Sequence, residues 1–240
     1  MRKQNNAGFN LIELLIALAL VAFIIPTIFT IYNSSHKCYV MQESITNMHQ
    51  NARATMELMT RELRDSFICH IADANTLTFY MDNPNTVVGI SSGDNTVRTL
   101  NDETQNWDPN MWKNTLVAIT RGTGANQIKT VLKNSSTQLI TSSATDPNWS
   151  PIPDETSIYH LDVVQKEFSW AGSSNIIYYD DGAHSGAESF TDNITNLTFS
   201  MDPTTGKIEI QLTARTERKD PKNDQYHTYN LKSTVKTRNL

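Results

Sequence analysis

The chain has 240 residues, of which 38% are hydrophobic and 19% are charged, and its formal net charge is −5. This content is ordinary for a globular protein and suffices for one domain with one hydrophobic core, with room for an insertion. An acidic chain is a poor electrostatic match for nucleic acid, so we expect no nucleic-acid partner.

The first predicted element is a membrane span from Leu11 to Ile31. Glu13 is the only charged residue in this apolar run, and no further formal charge follows until Lys37. A helix of about 20 apolar residues crosses a hydrocarbon layer about 30 Å thick. An acidic side chain near the end of such a span costs on the order of a few kcal/mol, so we expect Glu13 to have a partner.

The residues before this run form a short basic segment with Arg2 and Lys3, followed by Gly8-Phe9 and then by Glu13. This arrangement resembles the N-terminus of a type IV prepilin. The resemblance implies that a membrane peptidase cuts after Gly8 and methylates the new N-terminal amine of Phe9. It also implies that the Glu13 carboxylate is neutralised by the N-terminal ammonium of the next subunit added to a filament.

Two other interpretations of the N-terminus remain open. A secretory signal peptide has an apolar centre of roughly 7 to 15 residues and a small-residue cleavage site, whereas this run is longer and reaches Pro26 without such a site. An ordinary signal anchor shares the length of the run and the cytoplasmic Arg2 and Lys3. It does not, however, require Gly8-Phe9 followed by Glu13.

The helix is predicted to continue past the span, from about Phe9 to about Phe67, with a kink at Pro26. Its transmembrane half covers residues 9–35 and its amphipathic half covers residues 36–70. Apolar or small residues recur in the second half at spacings of three and four, which is typical of a helix packed on a domain. They are Met41, Ile45, Met48, Ala52, Thr55, Met59 and Leu63.

The two cysteines, Cys38 and Cys69, both fall on or near this helix. On one continuous helix, 31 residues at about 1.5 Å each separate them by roughly 46 Å, far beyond the reach of a disulfide. We therefore expect two free thiols or an intermolecular bridge.

Beyond residue 70, short strands alternate with turn residues, which predicts an antiparallel sheet. Residues 202–206 read as a hairpin connection between two of these strands. The predicted strands are residues 76–81, 116–120, 127–132, 138–141, 157–164, 167–170, 176–179, 194–201, 207–216 and 226–235. The expected fold class is α+β: a long N-terminal helix packed on an antiparallel sheet.

This layout and the segments 51–64, 194–215 and 235–239 resemble minor pilins of the PilW type and the J minor pseudopilin of type II secretion. The resemblance covers residues 1–80 and 165–240. We therefore expect a leader at residues 1–8 and a pilin domain at 71–240. Within it, Trp107 to Tyr159 departs from the family and is interpreted as an inserted β-rich module, at about residues 100–162.

We expect no enzyme and no cofactor. The six histidines are scattered, with no zinc-binding spacing, and the glycines of residues 121–127 lack the lysine of a phosphate loop. Asp180, Asp181 and Glu188 flank a glycine-containing loop, and carboxylate and carbonyl oxygens are the ligands that calcium prefers. A calcium site there is one hypothesis, and a plain solvated turn is the alternative.

The preferred function is that of a minor pilin or pseudopilin, held in the inner membrane with its C-terminal domain in the periplasm and then incorporated into a filament. Expected partners are the prepilin peptidase, other minor pilins or pseudopilins and the major pilin. The alternative is a membrane-anchored adhesion or carbohydrate-binding module that recognises its ligand through Trp107, Trp112 and Trp149. An anchored hydrolase is a third, weaker alternative.

Overall fold

A computed structural model describes residues 10–141, 148–183, 186–202 and 205–238 of the chain. Within these ranges, one helix is followed by thirteen strands, which confirms the predicted α+β class. The chain forms two compact units. The smaller unit holds the described residues up to Met48 together with Thr216–His227, and the larger unit holds the rest.

The helix, α1, covers Leu11–Asp65 and is continuous through Pro26, as predicted. Its predicted limits, Phe9 and Phe67, lie within two residues of the observed ones. The threonine hydroxyls inside the apolar half are hydrogen-bonded within the helix: Thr27 and Thr30 donate to the carbonyls of Phe23 and Pro26, each at 2.8 Å. Such bonds keep polar groups satisfied where water is excluded.

Every paired strand in the larger unit is antiparallel to its neighbour. The strands are β1 Ile68–Asp73, β2 Thr76–Ile90, β3 Thr99–Asn101, β4 Leu116–Arg121, β5 Gln127–Thr130, β6 Lys133–Asn134, β7 Gln138–Ile140, β8 Ile158–Ala171, β9 Ile176–Asp180, β10 Glu188–Thr191, β11 Ile194–Met201, β12 Lys207–Arg215 and β13 Thr228–Lys236.

These strands form three sheets. The first has seven strands in the order β1-β2-β8-β4-β5, with β9 paired to β8 and β10 paired to β9. The second has the order β11-β12-β13, and the third is a small sheet with the order β3-β7-β6. The long strand β8 organises the first sheet, because it pairs with β2 along one edge and with β4 and then β9 along the other.

The last turns of α1 pack against the sheets of the larger unit, as the periodic stripe predicts. Ala52, Met59 and Leu63 are fully buried, and Thr55 is 1% exposed. Burying a methionine or leucine side chain stabilises a fold by about 1.5 to 3 kcal/mol, so this face holds α1 on the sheets. A charged contact joins the same elements, where Lys166 on β8 donates to Glu62 of α1 at 2.8 Å.

Most of the predicted strands are confirmed, one is longer than predicted, two are merged into one, and four further strands were not predicted. Residues 157–164 and 167–170 belong to the single strand β8, and β2 runs to Ile90 instead of ending at Met81. The strands β1, β3, β6 and β10 have no counterpart among the predicted ones. The hairpin between β11 and β12 is confirmed, with Asp202 N–H donating to the Lys207 carbonyl at 2.9 Å, although Pro203 and Thr204 lie outside the described residues.

The middle of the chain is divided between two sheets. Strands β4 and β5 extend the seven-stranded sheet, whereas β3, β6 and β7 form the small one. Both share one core cluster, to which Tyr159 and Leu161 of β8 also belong. All the buried residues of this cluster lie within residues 100–162, and partly buried Val87 of β2 packs against it.

Candidate functional site

The exposed apolar half of α1 is the most unusual surface of the described chain. Large hydrophobic side chains from Leu11 to Ile31 are 48% to 81% exposed, and the most apolar stretch has a mean hydropathy of 2.8 with none of it buried. An exposed apolar surface of this size is unfavourable in water, and such surfaces usually contact a membrane or another protein. Length and composition suit a membrane anchor, and a signal sequence near an N-terminus has the same properties.

Glu13 lies in the first turn of this helix. Its Oε2 atom accepts a hydrogen bond from the Asn10 N–H at 3.3 Å, and the Asn10 side chain accepts one from the Ile12 N–H at 3.5 Å. This reciprocal pattern is a capping box, in which an acidic residue satisfies a free backbone N–H at the start of a helix. The carboxylate also complements the positive end of the helix dipole.

The capping box gives Glu13 a local role, but it does not use all the hydrogen-bond acceptor positions of the carboxylate. Among the described residues, Oε2 accepts one hydrogen bond and Oε1 accepts none. An ionised carboxylate can accept about four hydrogen bonds. A cationic partner from another chain can therefore bind it without breaking the cap. The proposed processing residues Gly8 and Phe9 lie outside the described residues.

The three tryptophans proposed for ligand stacking are buried. Trp107 and Trp112 are 8% and 7% exposed, Trp149 is 2% exposed, and all three belong to the core cluster shared by the two sheets. Their burial contradicts the alternative in which these rings bind a ligand and agrees with the core placement that is usual for tryptophan in a β domain. The Trp107 ring, for example, makes an edge contact with Tyr159 of β8, with ring centroids 6.4 Å apart.

The calcium hypothesis concerns the loop after β9. The Asp180 and Asp181 carboxylates each accept a backbone N–H two residues further on, from Gly182 and Ala183, both at 2.9 Å. Glu188 begins β10 and pairs with Tyr179. In the described ranges, no group of three or more His, Cys, Asp or Glu side chains comes together to hold a metal. Because His184 and Ser185 of this loop lie outside those ranges, calcium binding stays a prediction.

Three of the described histidines have different partners. His160 contacts Asp82 at 2.6 Å and packs against Phe67 in a tilted arrangement, with ring centroids 4.9 Å apart. His227 contacts Asp220 at 3.2 Å, and His49 packs on Tyr229. His184 lies outside the described residues. The expectation that the chain is not an enzyme stays a prediction.

One buried polar pair gave no signal in the sequence. The Tyr159 hydroxyl donates to Asp102 Oδ2 at 2.6 Å, and Asp102 is fully buried. Burial opposes ionisation of Asp102, but hydrogen bonds from Thr104, Tyr159 and Gln105 hold its pKa below the usual range. Burial, together with the negative charge of Asp102, raises the pKa of Tyr159. The pair joins β8 to the turn after β3, a contact that only the fold creates.

Comparison with family models, with curated proteins and with solved structures finds no match to this chain. The order of elements, a long apolar N-terminal helix followed by antiparallel sheets, is a general pilin-like architecture. It defines a β-rich domain behind a hydrophobic helix of the kind that anchors proteins in membranes or directs their secretion.

Proposed function

We propose that the chain is a minor pilin or minor pseudopilin, a structural or assembly-priming subunit of a type IV pilus or a type II secretion pseudopilus. The observation that carries the proposal is Glu13, an acidic residue in the first turn of an exposed apolar helix, at a fixed distance after Gly8-Phe9. A single glutamate in such a helix is costly in lipid unless a partner neutralises it.

Processing supplies that partner in the proposed sequence of events. The prepilin peptidase removes residues 1–8 and methylates the amine of Phe9 on each subunit. The Glu13 carboxylate of one subunit then pairs with the N-terminal ammonium of a neighbour. This pairing offsets the cost of desolvating both charges and sets the axial register between subunits.

The exposed apolar face serves two environments in turn. Before assembly, the helix from Leu11 to Ile31 lies in the inner membrane and the β-rich unit lies in the periplasm. Each Leu, Ile, Val or Phe at the centre of a span favours insertion by about 0.3 to 0.6 kcal/mol, so the run outweighs one carboxylate that costs about 3 kcal/mol. In the filament, the same side chains pack against the helices of other minor subunits or of the major pilin.

The binding-module alternative has lost the side chains on which it depended. Recognition of a carbohydrate through stacking needs exposed aromatic faces, and the tryptophans nominated for it are core residues. A partner-binding role through other surfaces of the β-rich unit is compatible with a subunit placed at a filament tip.

The role of Glu13 is tested by comparing Glu13→Ala with Glu43→Ala, which removes an exposed glutamate from the same helix beyond the span. Both variants are expressed in the source cells, and their amounts in sheared filaments and in membranes are measured by immunoblot. We expect Glu13→Ala to lower filament incorporation at least tenfold and Glu43→Ala to leave it unchanged. Normal incorporation of Glu13→Ala would contradict the proposal.

A further inference from the structure

The smaller unit contains a cavity just beyond the predicted span. It has a volume of about 370 Å³ and lies between α1 and the connection from β12 to β13, residues 216–227. The connection closes on itself, with Thr216 N–H donating to the His227 carbonyl at 2.9 Å and Asp220 N–H donating to the Gln225 carbonyl at 2.8 Å. The cavity therefore has a wall of defined backbone.

The polar lining of this cavity is cationic. Lys37 of α1 and Lys222 of the connection line it together with His227, and neither lysine side chain makes an ion pair with any described residue. Asp220 is the one carboxylate of the lining. Its Oδ2 atom lies 3.2 Å from His227 Nε2, and its Oδ1 atom accepts the Lys222 N–H at 2.9 Å. The Lys222 charge and His227 both act on the Asp220 carboxylate, so the two lysines and one carboxylate leave a net charge of 2 − 1 = +1 in the lining for an incoming anion.

The remaining lining is apolar. Met41 and Ile45 lie one turn apart on the face of α1 that the cavity covers, and Pro221 lies opposite. A cavity with a cationic rim and an apolar wall suits a ligand that joins a charged phosphate to a hydrocarbon part.

The cavity begins at the level of the headgroup layer that would surround the end of the span, and Lys37 lies close to the outer limit of that layer. Lys37 follows Ile31 by 37 − 31 = 6 residues, which is roughly 9 Å along a helix. The polar layer extends about 5 to 8 Å beyond the hydrocarbon on each side. Because helical side chains tilt toward the N-terminus and lysine stems extend to reach a polar layer, the Lys37 ammonium is able to reach back into the headgroup layer.

Exposed tyrosines occur on both elements that line the cavity. Tyr32 and Tyr39 are 65% and 66% exposed and flank Lys37 on α1, and Tyr226 of the connection is 38% exposed. Tyrosines and lysines together are typical of the boundary between a bilayer and water. The connection from β12 to β13 therefore lies where it can meet lipid headgroups.

We propose that this cavity binds the phosphate of an anionic phospholipid headgroup, of the phosphatidylglycerol type, through Lys37 and Lys222. A headgroup with its own ammonium is disfavoured, because it would meet two lysines in a small space. The inference rests on the proposed function only in requiring that α1 spans the membrane. A bound lipid would hold the smaller unit at the membrane surface until the subunit is extracted into a filament.

The test measures lipid retained by the purified full-length chain in a neutral detergent, by native mass spectrometry. The chain is mixed with equal amounts of phosphatidylglycerol and phosphatidylcholine. We expect one phosphatidylglycerol to be retained in preference, and the double variant Lys37→Gln/Lys222→Gln to retain roughly tenfold less. The matched control is Lys207→Gln/Lys236→Gln, which removes two exposed lysines paired across β12 and β13 in the larger unit. It should retain as much lipid as the unaltered chain.

Three outcomes would overturn the inference. They are equal retention of the two lipids, an equal loss in the control variant, and displacement of phosphatidylglycerol by millimolar inorganic phosphate, which would indicate a general anion site. Equal melting temperatures of the two double variants would show that a loss of lipid retention is not caused by unfolding. Because the measurement does not depend on cleavage after Gly8, its failure is distinguishable from a failure of the pilin proposal.

Discussion

Glu62 of α1 and Lys166 of β8 form an ion pair in which Lys166 Nζ lies 2.8 Å from Glu62 Oε2, with both side chains less than one-fifth exposed. The Tyr179 hydroxyl of β9 donates to the same carboxylate oxygen at 3.1 Å. One glutamate therefore joins the helix to two neighbouring strands. The buried apolar side chains of α1 hold the helix on the sheets, and the Glu62 ion pair favours the placement of one particular turn of the helix over β8.

Replacing Glu62 with alanine should destabilise the larger unit by about 2 to 3 kcal/mol, because Lys166 is then left without its partner in a mostly buried position. The double variant Glu62→Ala/Lys166→Ala should lose less than the sum of the two single variants. Urea unfolding followed by circular dichroism measures both. The control, Glu57→Ala, removes an exposed glutamate of the same helix and should cost less than about 0.5 kcal/mol. Strictly additive losses would contradict the described pairing.

The same pair predicts a response to alkaline pH. Burial acts to lower the pKa of Lys166, but the hydrogen bonds and charge of its partners outweigh burial and raise it above the ordinary value. A group whose pKa is raised by folding stabilises the folded state. This stabilisation is complete at pH values below the pKa of the unfolded chain, about 10.4 for lysine, and is lost as the pH rises through the pKa of the folded chain. Stability above pH 10 should therefore fall more steeply in the unaltered chain than in Lys166→Met.

Asp154 should govern part of the acid response. Its carboxylate accepts hydrogen bonds from the Thr123 hydroxyl at 2.6 Å and from the Thr156 N–H at 2.9 Å. These bonds lower the pKa of Asp154 to about 2. A lowered pKa stabilises the fold above the ordinary value, about 3.9, and this contribution is lost as pH falls toward 2.

Asp154→Asn should therefore be less stable than the unaltered chain at pH 7 and should lose less stability between pH 4 and pH 2. Thermal unfolding across that range gives the comparison. Asp108→Asn, at an exposed aspartate, is the control and should follow the unaltered chain. Parallel acid curves for Asp154→Asn and the unaltered chain would show that these hydrogen bonds do not hold the carboxylate.

The two cysteines should differ in reactivity. Cys38 is exposed, whereas burial raises the pKa of Cys69 to about 11. Because the thiolate is the nucleophile, Cys69 at pH 8 should react with a maleimide at least tenfold more slowly than Cys38. Peptide mass spectrometry after timed labelling gives both rates, with equal labelling in urea as the control. Rapid labelling of Cys69 in the native chain would contradict its described burial.

A charge at the centre of the apolar run should weaken membrane retention. Val21 lies midway between Leu11 and Ile31, and an arginine there costs about 3 kcal/mol. Val21→Arg should raise the fraction extracted from membranes by alkaline carbonate, whereas Thr46→Arg, on an exposed face of α1 beyond the run, should not. Equal extraction of the two variants would mean that residues 11–31 do not hold the mature chain in the bilayer.

The helix and the C-terminal strands could be predicted because their signals are local. The strand β11, Ile194–Met201, has its predicted limits, since apolar residues alternate along it and Asp202 starts the turn that follows. The residues Ala52, Met59 and Leu63 belong to a stripe whose spacing of three and four residues is enough to predict a buried helix face. The Glu13 signal is equally local, because it depends on one charge in an apolar run.

The remaining strands depend on contacts between distant residues. Strand β2 continues past Asp82 through Asn83-Pro84-Asn85, which reads as a turn, because β8 pairs with both sides of an irregularity between Asp82 and Val87. Strand β8 reads as two strands because polar Gln165 and Lys166 interrupt its apolar pattern. In the structure, Glu62 of α1 satisfies Lys166, so the strand remains intact.

Burial of the tryptophans also depended on non-local packing. Trp107, Trp112 and Trp149 lie outside the strands, where a sequence pattern does not distinguish a ring that faces solvent from one that faces a core. Only the pairing of β4 with β8 and the placement of the small sheet enclose them. The same holds for the cavity beside Lys37, whose second wall comes from residues about 180 positions further along the chain.

The central claim, a pilin-class subunit, is tested most directly by mass spectrometry of the intact N-terminus. The chain is isolated from membranes of cells with and without the prepilin peptidase. We predict a chain that begins at N-methylated Phe9 only when the peptidase is present. If Met1 to Gly8 stay attached in both strains, the claim is contradicted and the protein is a signal-anchored β-rich domain.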